Sequence, residues 1–319
     1  MKRMIAARFL RLLVTLVVVT FLTSIMYELL PGDPALSIIS ADTFNVSEEA
    51  IEQVREQLNL DDPVPVRFAV WLANAATGDF GVSFRTRQPV ADEIWARLPL
   101  TLELMFMAQI MALGFALIVA PLAALRPGRA YDSVTTSVSF ALLSVPAFIG
   151  GLVLIYVFAE RLNWLPATGY VPFSEDPVEN IKSLLLPAIA LATPEAAVYA
   201  RILRSEMINT LREDYILMGR ANGLPTWRIL LVHALKPSSF SLMTYAGISI
   251  GVLIGGSVVV ESIFGLPGLG RLAVDAIGNR DFITLQAVVL VVTVGFVVLN
   301  FLVDVLYYVL DPRLRHARG

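Results

Sequence analysis

Six separate runs in this chain are each long and apolar enough to cross a bilayer, and few architectures can accommodate that. They extend approximately over residues 9–30, 100–125, 134–159, 184–207, 239–260 and 284–310, against the roughly 20 residues that a spanning helix needs. Backbone in hydrocarbon must satisfy its own hydrogen bonds, so runs of this length are read as helices. Composition agrees, with 56% of the 319 residues hydrophobic where a soluble domain has about 45–50%. The expected fold is an all-α membrane protein with six transmembrane helices. Pro146 interrupts the third run, and Pro187 and Pro194 the fourth, so kinks are expected at all three.

Basic residues near the ends of the runs set the orientation. Lys2, Arg3, Arg8 and Arg11 precede the first run. Arg201, Arg204, Arg212, Arg220, Arg228 and Lys236 surround the connection between the fourth and fifth, and Arg313, Arg315 and Arg318 close the chain. These segments are expected to face the cytoplasm, with both termini inside. The connection from Pro31 to Pro99 carries eleven acidic residues against five arginines and reads as the outer side. The first run is long enough to span and has no small-residue cleavage site after it, so it reads as an uncleaved helix and not as a secretory signal. Four segments follow: residues 1–30, tail and first helix; 31–98, an extracytoplasmic helical loop; 99–310, a five-helix core with a cytoplasmic connection at about 208–232; and 311–319, a cytoplasmic tail.

The outer loop has helical punctuation. Ser47 can cap a helix with Glu48 and Glu49 in its first turn and Ile51, Val54 and Leu58 on one face. Phe68, Trp71 and Leu72 suggest a second short helix, Gly78-Asp79-Phe80-Gly81 a turn, and Pro89 to Arg97 a run leading into the second span. The loop reads as a cap packed on the membrane part. Between the fifth and sixth spans, Glu261 to Arg271 contains Pro267 and three glycines that break any continuous helix. Chemistry leaves two readings open: a segment lining or closing a passage, or an ordinary exposed turn.

With no cysteine, and only His233 and His316, disulfides, thiolate sites and a His-rich metal site are excluded. No metal ligand set and no nucleophile–base cluster emerges. The phosphate-cradling G-x-x-x-x-G-K-[ST] pattern is also absent, so the chain has no means of its own to hold ATP.

The connection between spans four and five carries the functional signal. A helix is expected through Met207, Leu211, Tyr215 and Met218, a stop at Gly223, and a second helix after Pro225 with Trp227, Ile229, Leu230 and Val232. Glycine suits the left-handed residue that ends a helix, and proline the first turn of the next. A merely solvated basic connection needs none of this punctuation. The stretch resembles the coupling (EAA) loop of ABC-importer permeases, in the form found in the dipeptide/oligopeptide/nickel permease family. Asp214, Tyr215, Arg220, Ala221, Gly223 and Leu224 match. Leu217, Met218 and Gly219 depart from the Glu-Ala-Ala letters, and Asn222 replaces a basic residue. The likeness continues through Leu30-Pro31-Gly32-Asp33-Pro34, Gly78 to Ser83, Arg97 to Leu104, the Glu261 segment, and Leu302 to Tyr307 with Leu310-Asp311-Pro312-Arg313.

The resemblance implies a type I ABC-importer permease fold in a bacterial or archaeal inner membrane. It implies a heterodimer with a homologous second permease subunit, two ATPase subunits that bind ATP and Mg, and an extracytoplasmic solute-binding protein. Membrane lipid is a partner and nucleic acid is not. The six matched loop residues take the ATPase-coupling role, and Glu261, Phe264, Pro267, Gly268 and Gly270 an outer loop or gate. Peptide is the expected solute on family prevalence; nickel chelates and glutathione stay open. The chain is a translocation subunit and not an enzyme, with no cofactor of its own.

Ionisable residues inside spans are costly and face the bundle interior. Glu28 and Glu103 lie near the outer edge and read as positional. Asp304 is placed to pair with a basic residue at the helix end. Glu195, beside Pro194 in mid-span, either faces the solute pathway or is an internally held packing residue. The competing class is a proton-driven secondary transporter with Glu195 and Asp304 as carriers; a membrane scaffold without transport is more distant.

Overall fold

The computed structural model of the chain describes the backbone of residues 2–26, 52, 55, 62–83 and 85–310, and among these the side chains between 13 and 303. They form α1 (Lys2–Met26), α2 (Val64–Ala76), α3 (Val90–Ala124), α4 (Ala130–Ser144), α5 (Ala147–Arg161) and α6 (Pro177–Thr210). After these come α7 (Asp214–Ala221), α8 (Thr226–Ile248), α9 (Ile250–Ile263), α10 (Leu269–Gly278) and α11 (Phe282–Leu310). Among the described residues there is no strand beyond one isolated bridge, Val82 to Pro89. The helix expected after Ser47, and Glu28, lie outside the described residues, as does the side chain of Asp304.

The apolar runs fall on helices. α3, α6 and residues 282–303 of α11 are long and apolar enough to cross a membrane unbroken, and α4–α5 and α8–α9 meet the same test as bent pairs. The first run lies in α1 as far as Met26. The three prolines do not act alike. At Pro146 the chain turns by 99°, because the residue before proline is pushed out of the helical region, and Val145 is extended at φ −94°, ψ 117°. Pro187 and Pro194 stay inside an unbroken α6, the most deeply buried of the three unbroken spans, where neighbouring helices support it. A second bend, of 48°, falls at Ser249, where no proline announces it.

The chain divides into two compact units. The first comprises Met1–Pro99 and Pro267–Val297. Its core joins Phe80, Val90 and Ile94 to Leu269, Leu272, Ala287 and Val288. The expected turn at residues 78–81 is held by Gly78 and Gly81, both at φ above +90°. Asp79 Oδ1 accepts from Gly81 N at 2.9 Å, and Ser83 Oγ donates to Asp281 Oδ2 at 2.5 Å.

The second unit comprises Leu100–Leu266 and Val298–Gly319. Two rows of alanine at every fourth position run through its core: Ala108, Ala112, Ala116, Ala120 and Ala124 on α3, and Ala188, Ala192, Ala196 and Ala200 on α6. Positions four apart share one helix face, and small side chains let helices approach closely in a membrane, where packing replaces the hydrophobic effect as the driving force. At one end of this unit, Glu103 Oε2 accepts from Tyr170 Oη and Asn180 Nδ2, each at 3.0 Å. At another place Asp132 near the start of α4 pairs with Arg204 on the last turns of α6. Within this unit the start of the second span thus meets the connection before α6 and the first turn of that helix, and the start of α4 meets the end of α6.

Candidate functional site

The connection after α6 is built in three steps. α6 ends at Thr210, and the chain turns through Leu211–Glu213 before α7 begins, so the continuous helix expected from Met207 to Met218 is broken. Ile216 is buried on the inner face of α7 and joins the core of its unit. Asp214 stands in the first turn and Arg220 in the last, the placement that complements a helix dipole.

The stop at Gly223 is a two-bond cap. Gly223 has φ +78°, its N donates to Arg220 O at 3.0 Å, and Leu224 N donates to Gly219 O at 3.1 Å. This is the Schellman arrangement, which satisfies the last free carbonyls of a helix. Leu224 folds back over the helix: a Cβ at Gly219 would stand 3.2 Å from Leu224 Cδ1. Gly219, a departure from the family letters, is thus the smallest residue at the position where Leu224 packs. Pro225 is the capping residue before Thr226, one position earlier than expected.

α8 opens with a wider turn at Ile229–Ala234. Pro237 lies in the same helix and has no N–H to give to the carbonyl of His233 four residues back. Tyr215 Oη reaches that carbonyl at 3.4 Å, tying α7 to α8. Partial burial, and then the charge of Glu213, push the Tyr215 hydroxyl above its ordinary pKa. The roots of the connection are joined as well, by Thr210 Oγ1 and Ser238 Oγ at 3.0 Å and by Ser241 Oγ donating to Glu206 Oε1 at 3.0 Å. The outer surface carries Leu217, Met218 and Trp227 with half or more of their area exposed.

The segment after α9 has one of the two bonds of the Gly223 cap. Gly265 has φ +64° and Leu266 N donates to Glu261 O at 2.9 Å. Glu261, Phe264 and Leu266 are all buried, Thr101 Oγ1 donates to Glu261 Oε1 at 2.8 Å, and the Phe264 ring lies over Gly151 of α5. Gly268 and Gly270 are buried and Pro267 is exposed.

Sequence comparison decides the family. The model of the binding-protein-dependent transport system inner membrane component matches residues 112–316, and that of the N-terminal part of the same membrane component residues 1–105. The chain belongs to this permease family. The permease is 38% identical to a peptide transport system permease protein of Brucella abortus, over 99% of its own length and 100% of that protein's. It is 37% identical to the glutathione transport system permease protein of Escherichia coli K12, over 97% of each. A solved methionine ABC transporter, MetNI in inward-facing form, shares the fold, with TM-score 0.53 and 17% identity over 69% of this chain and 96% of that one. The permease is the membrane-translocation component of an ABC importer.

Within the permease, Glu195 sits in a polar cluster that its sequence position alone did not reveal. It is 4% exposed, its Oε2 has no hydrogen-bond partner among the described residues, and its side chain lies near the Ser249 hydroxyl. Ser249 also meets the Tyr199 hydroxyl, which donates to Gln109 Oε1 at 3.0 Å. The bend at Ser249 therefore lies against Glu195. Periodicity could not find Ser249; what marks it is that a serine hydroxyl bonding back to Ala246 O, here at 3.0 Å, loosens a helix locally. Asp132 is the other residue missed, a single acid beside a basic turn.

Proposed function

We propose that the permease is one of two homologous membrane subunits of an ATP-driven peptide importer in the cytoplasmic membrane. The observation that carries this reading is α7, a short helix outside the spans, tied to α8 through Tyr215 and stopped by the Gly223 cap, with Leu217, Met218 and Trp227 turned outward. Exposed apolar side chains grouped on an ordered element suit protein docking, here to two cytoplasmic ATPase subunits that hold ATP and Mg. Asp214, Tyr215, Arg220, Ala221, Gly223 and Leu224 form the coupling loop. Movement of α7 tilts α6 and α8 together, because packed helices shift between discrete arrangements instead of deforming smoothly. Glu261, Phe264, Pro267, Gly268 and Gly270 form the outer gate, facing a solute-binding protein. The excess of basic residues on the α7 side supports cytoplasmic termini. Short peptides are the solute class supported by relatives named for peptide and glutathione transport.

The test is uptake of labelled di- and tripeptides by proteoliposomes containing the permease, its companion subunits and the binding protein. Uptake is expected to need ATP hydrolysis and to be absent when only a proton gradient is supplied. Uptake driven by the gradient alone, or failure of a cysteine at Met218 to crosslink to an ATPase subunit, overturns the reading.

A further inference from the structure

The span α6 carries three cations, of which Lys182 pairs with Glu179 and Arg204 with Asp132. Arg201 is exposed, makes no ion pair or hydrogen bond among the described residues, and lies over the Phe140 ring of α4 at 5.6 Å from its centroid. It lines a cavity of about 120 Å³ together with Thr135, Thr136, Ser139 and Arg204 and the alanine face of α3. Thr135 and Ser139 already donate their hydroxyls to backbone carbonyls, and Arg204 is engaged with Asp132. The Thr136 hydroxyl and the Arg201 guanidinium are the donors left to a ligand.

An arginine on a membrane helix without a counter-charge is costly and takes one from its surroundings. The cavity has room for a phosphate group but not for a peptide. Thr136 stands six residues into α4, about 9 Å of helix rise, a depth that suits the headgroup region and not the bilayer centre. Arg126 and Arg129 of the α3–α4 turn are exposed just beyond it. On the two helices that line the cavity, Ile118 and Leu122 of α3 and Val138 and Phe140 of α4 are exposed apolar side chains, chemistry that suits acyl chains. Basic pockets between spanning helices are a recurrent means of holding anionic headgroups.

We infer that this cavity binds the phosphate of an anionic phospholipid, with Arg201 and Thr136 as its donors. The inference rests on the membrane placement of α3, α4 and α6 and is independent of the coupling loop and of the solute. The test is native mass spectrometry of the assembled transporter, purified and re-lipidated with equal amounts of phosphatidylglycerol and phosphatidylcholine. Losing one basic contact near the surface is expected to lower retained phosphatidylglycerol about fivefold in Arg201→Gln. Arg201→Lys keeps most of the retention and Thr136→Val lowers it less. If Arg201→Gln fails to assemble, Thr136→Val decides. Equal retention in wild type and both variants overturns the inference, since the cavity is then closed by protein. So does stabilisation of the lipid-free transporter by millimolar inorganic phosphate that Arg201→Gln abolishes, with no preference for phosphatidylglycerol: the ligand is then free phosphate.

Discussion

Arg204 of α6 grips Asp132 of α4 with both a side-chain Nε and an Nη2, the latter at 2.6 Å from Oδ2. Asp132 is 3% exposed, and its Oδ2 also accepts from Gly128 N at 2.7 Å. The pair fixes the short α3–α4 turn against the helix that leads into α7.

Removing one partner of a buried pair leaves the other charge uncompensated. Arg204→Gln and Asp132→Asn should each destabilise the permease by about 3 kcal/mol, seen as a lower midpoint of thermal unfolding in detergent. Replacing both by apolar residues of similar size should recover much of the loss. Equal midpoints for wild type and single variants would show that the pair carries no stability.

Gly223→Val should abolish uptake while the protein still inserts and assembles. A β-branched residue at φ +78° is strained by about 1–2 kcal/mol, and nothing lies within 4 Å of the added Cβ, so the effect comes through the backbone angle and not through a clash. Gly223→Asn, which tolerates the left-handed region, should retain most uptake. Normal transport by Gly223→Val removes the rigid-lever account.

Glu195→Gln should leave solute affinity and uptake rate unchanged. The carboxyl is enclosed within this chain, near Ser249 at the α8–α9 bend, which suits a packing residue better than a pathway contact. Glu195→Ala should lower the unfolding midpoint, since it leaves a cavity beside Ser249. A changed affinity in Glu195→Gln would instead put the carboxyl on the solute path.

Tyr170 gives a pH test. Burial first, then the hydrogen bond to Glu103 and the charges of Glu103 and Glu175, push its hydroxyl from 10.0 to about 12. The folded state thus holds the proton more tightly than the unfolded chain does. Its stabilising contribution is complete below pH 10 and is lost as pH rises towards 12. Unfolding midpoints measured across that range should fall in the wild type, and less steeply in Tyr170→Phe. Identical slopes would remove Tyr170 from the account.

Part of the candidate site could be read locally. Gly223 and Leu224 announce a helix stop because their requirements are backbone requirements, a positive φ and a back-folded apolar side chain, which neighbours in sequence satisfy. Gly78, Gly81 and Gly265 were legible as turns for the same reason. The tie from Tyr215 to the His233 carbonyl was not, since it needs both the wider turn at Ile229–Ala234 and the gap left by Pro237.

The sequence by itself determined that this is a helical membrane protein, which stretches of chain carry its apolar helices, and that α7 is capped by glycine. Hydrophobic length, charge asymmetry and glycine stereochemistry act over short stretches of chain, so they are written there. Only the tertiary structure decided which proline breaks a span: Pro146 turns the chain by 99° while Pro187 and Pro194 lie inside one unbroken helix. It also decided that Asp132 meets Arg204 and that Ser83 holds Asp281. Whether a freed carbonyl is re-satisfied, or a lone charge finds its partner, depends on helices far away in the chain, and packing alone brings those together.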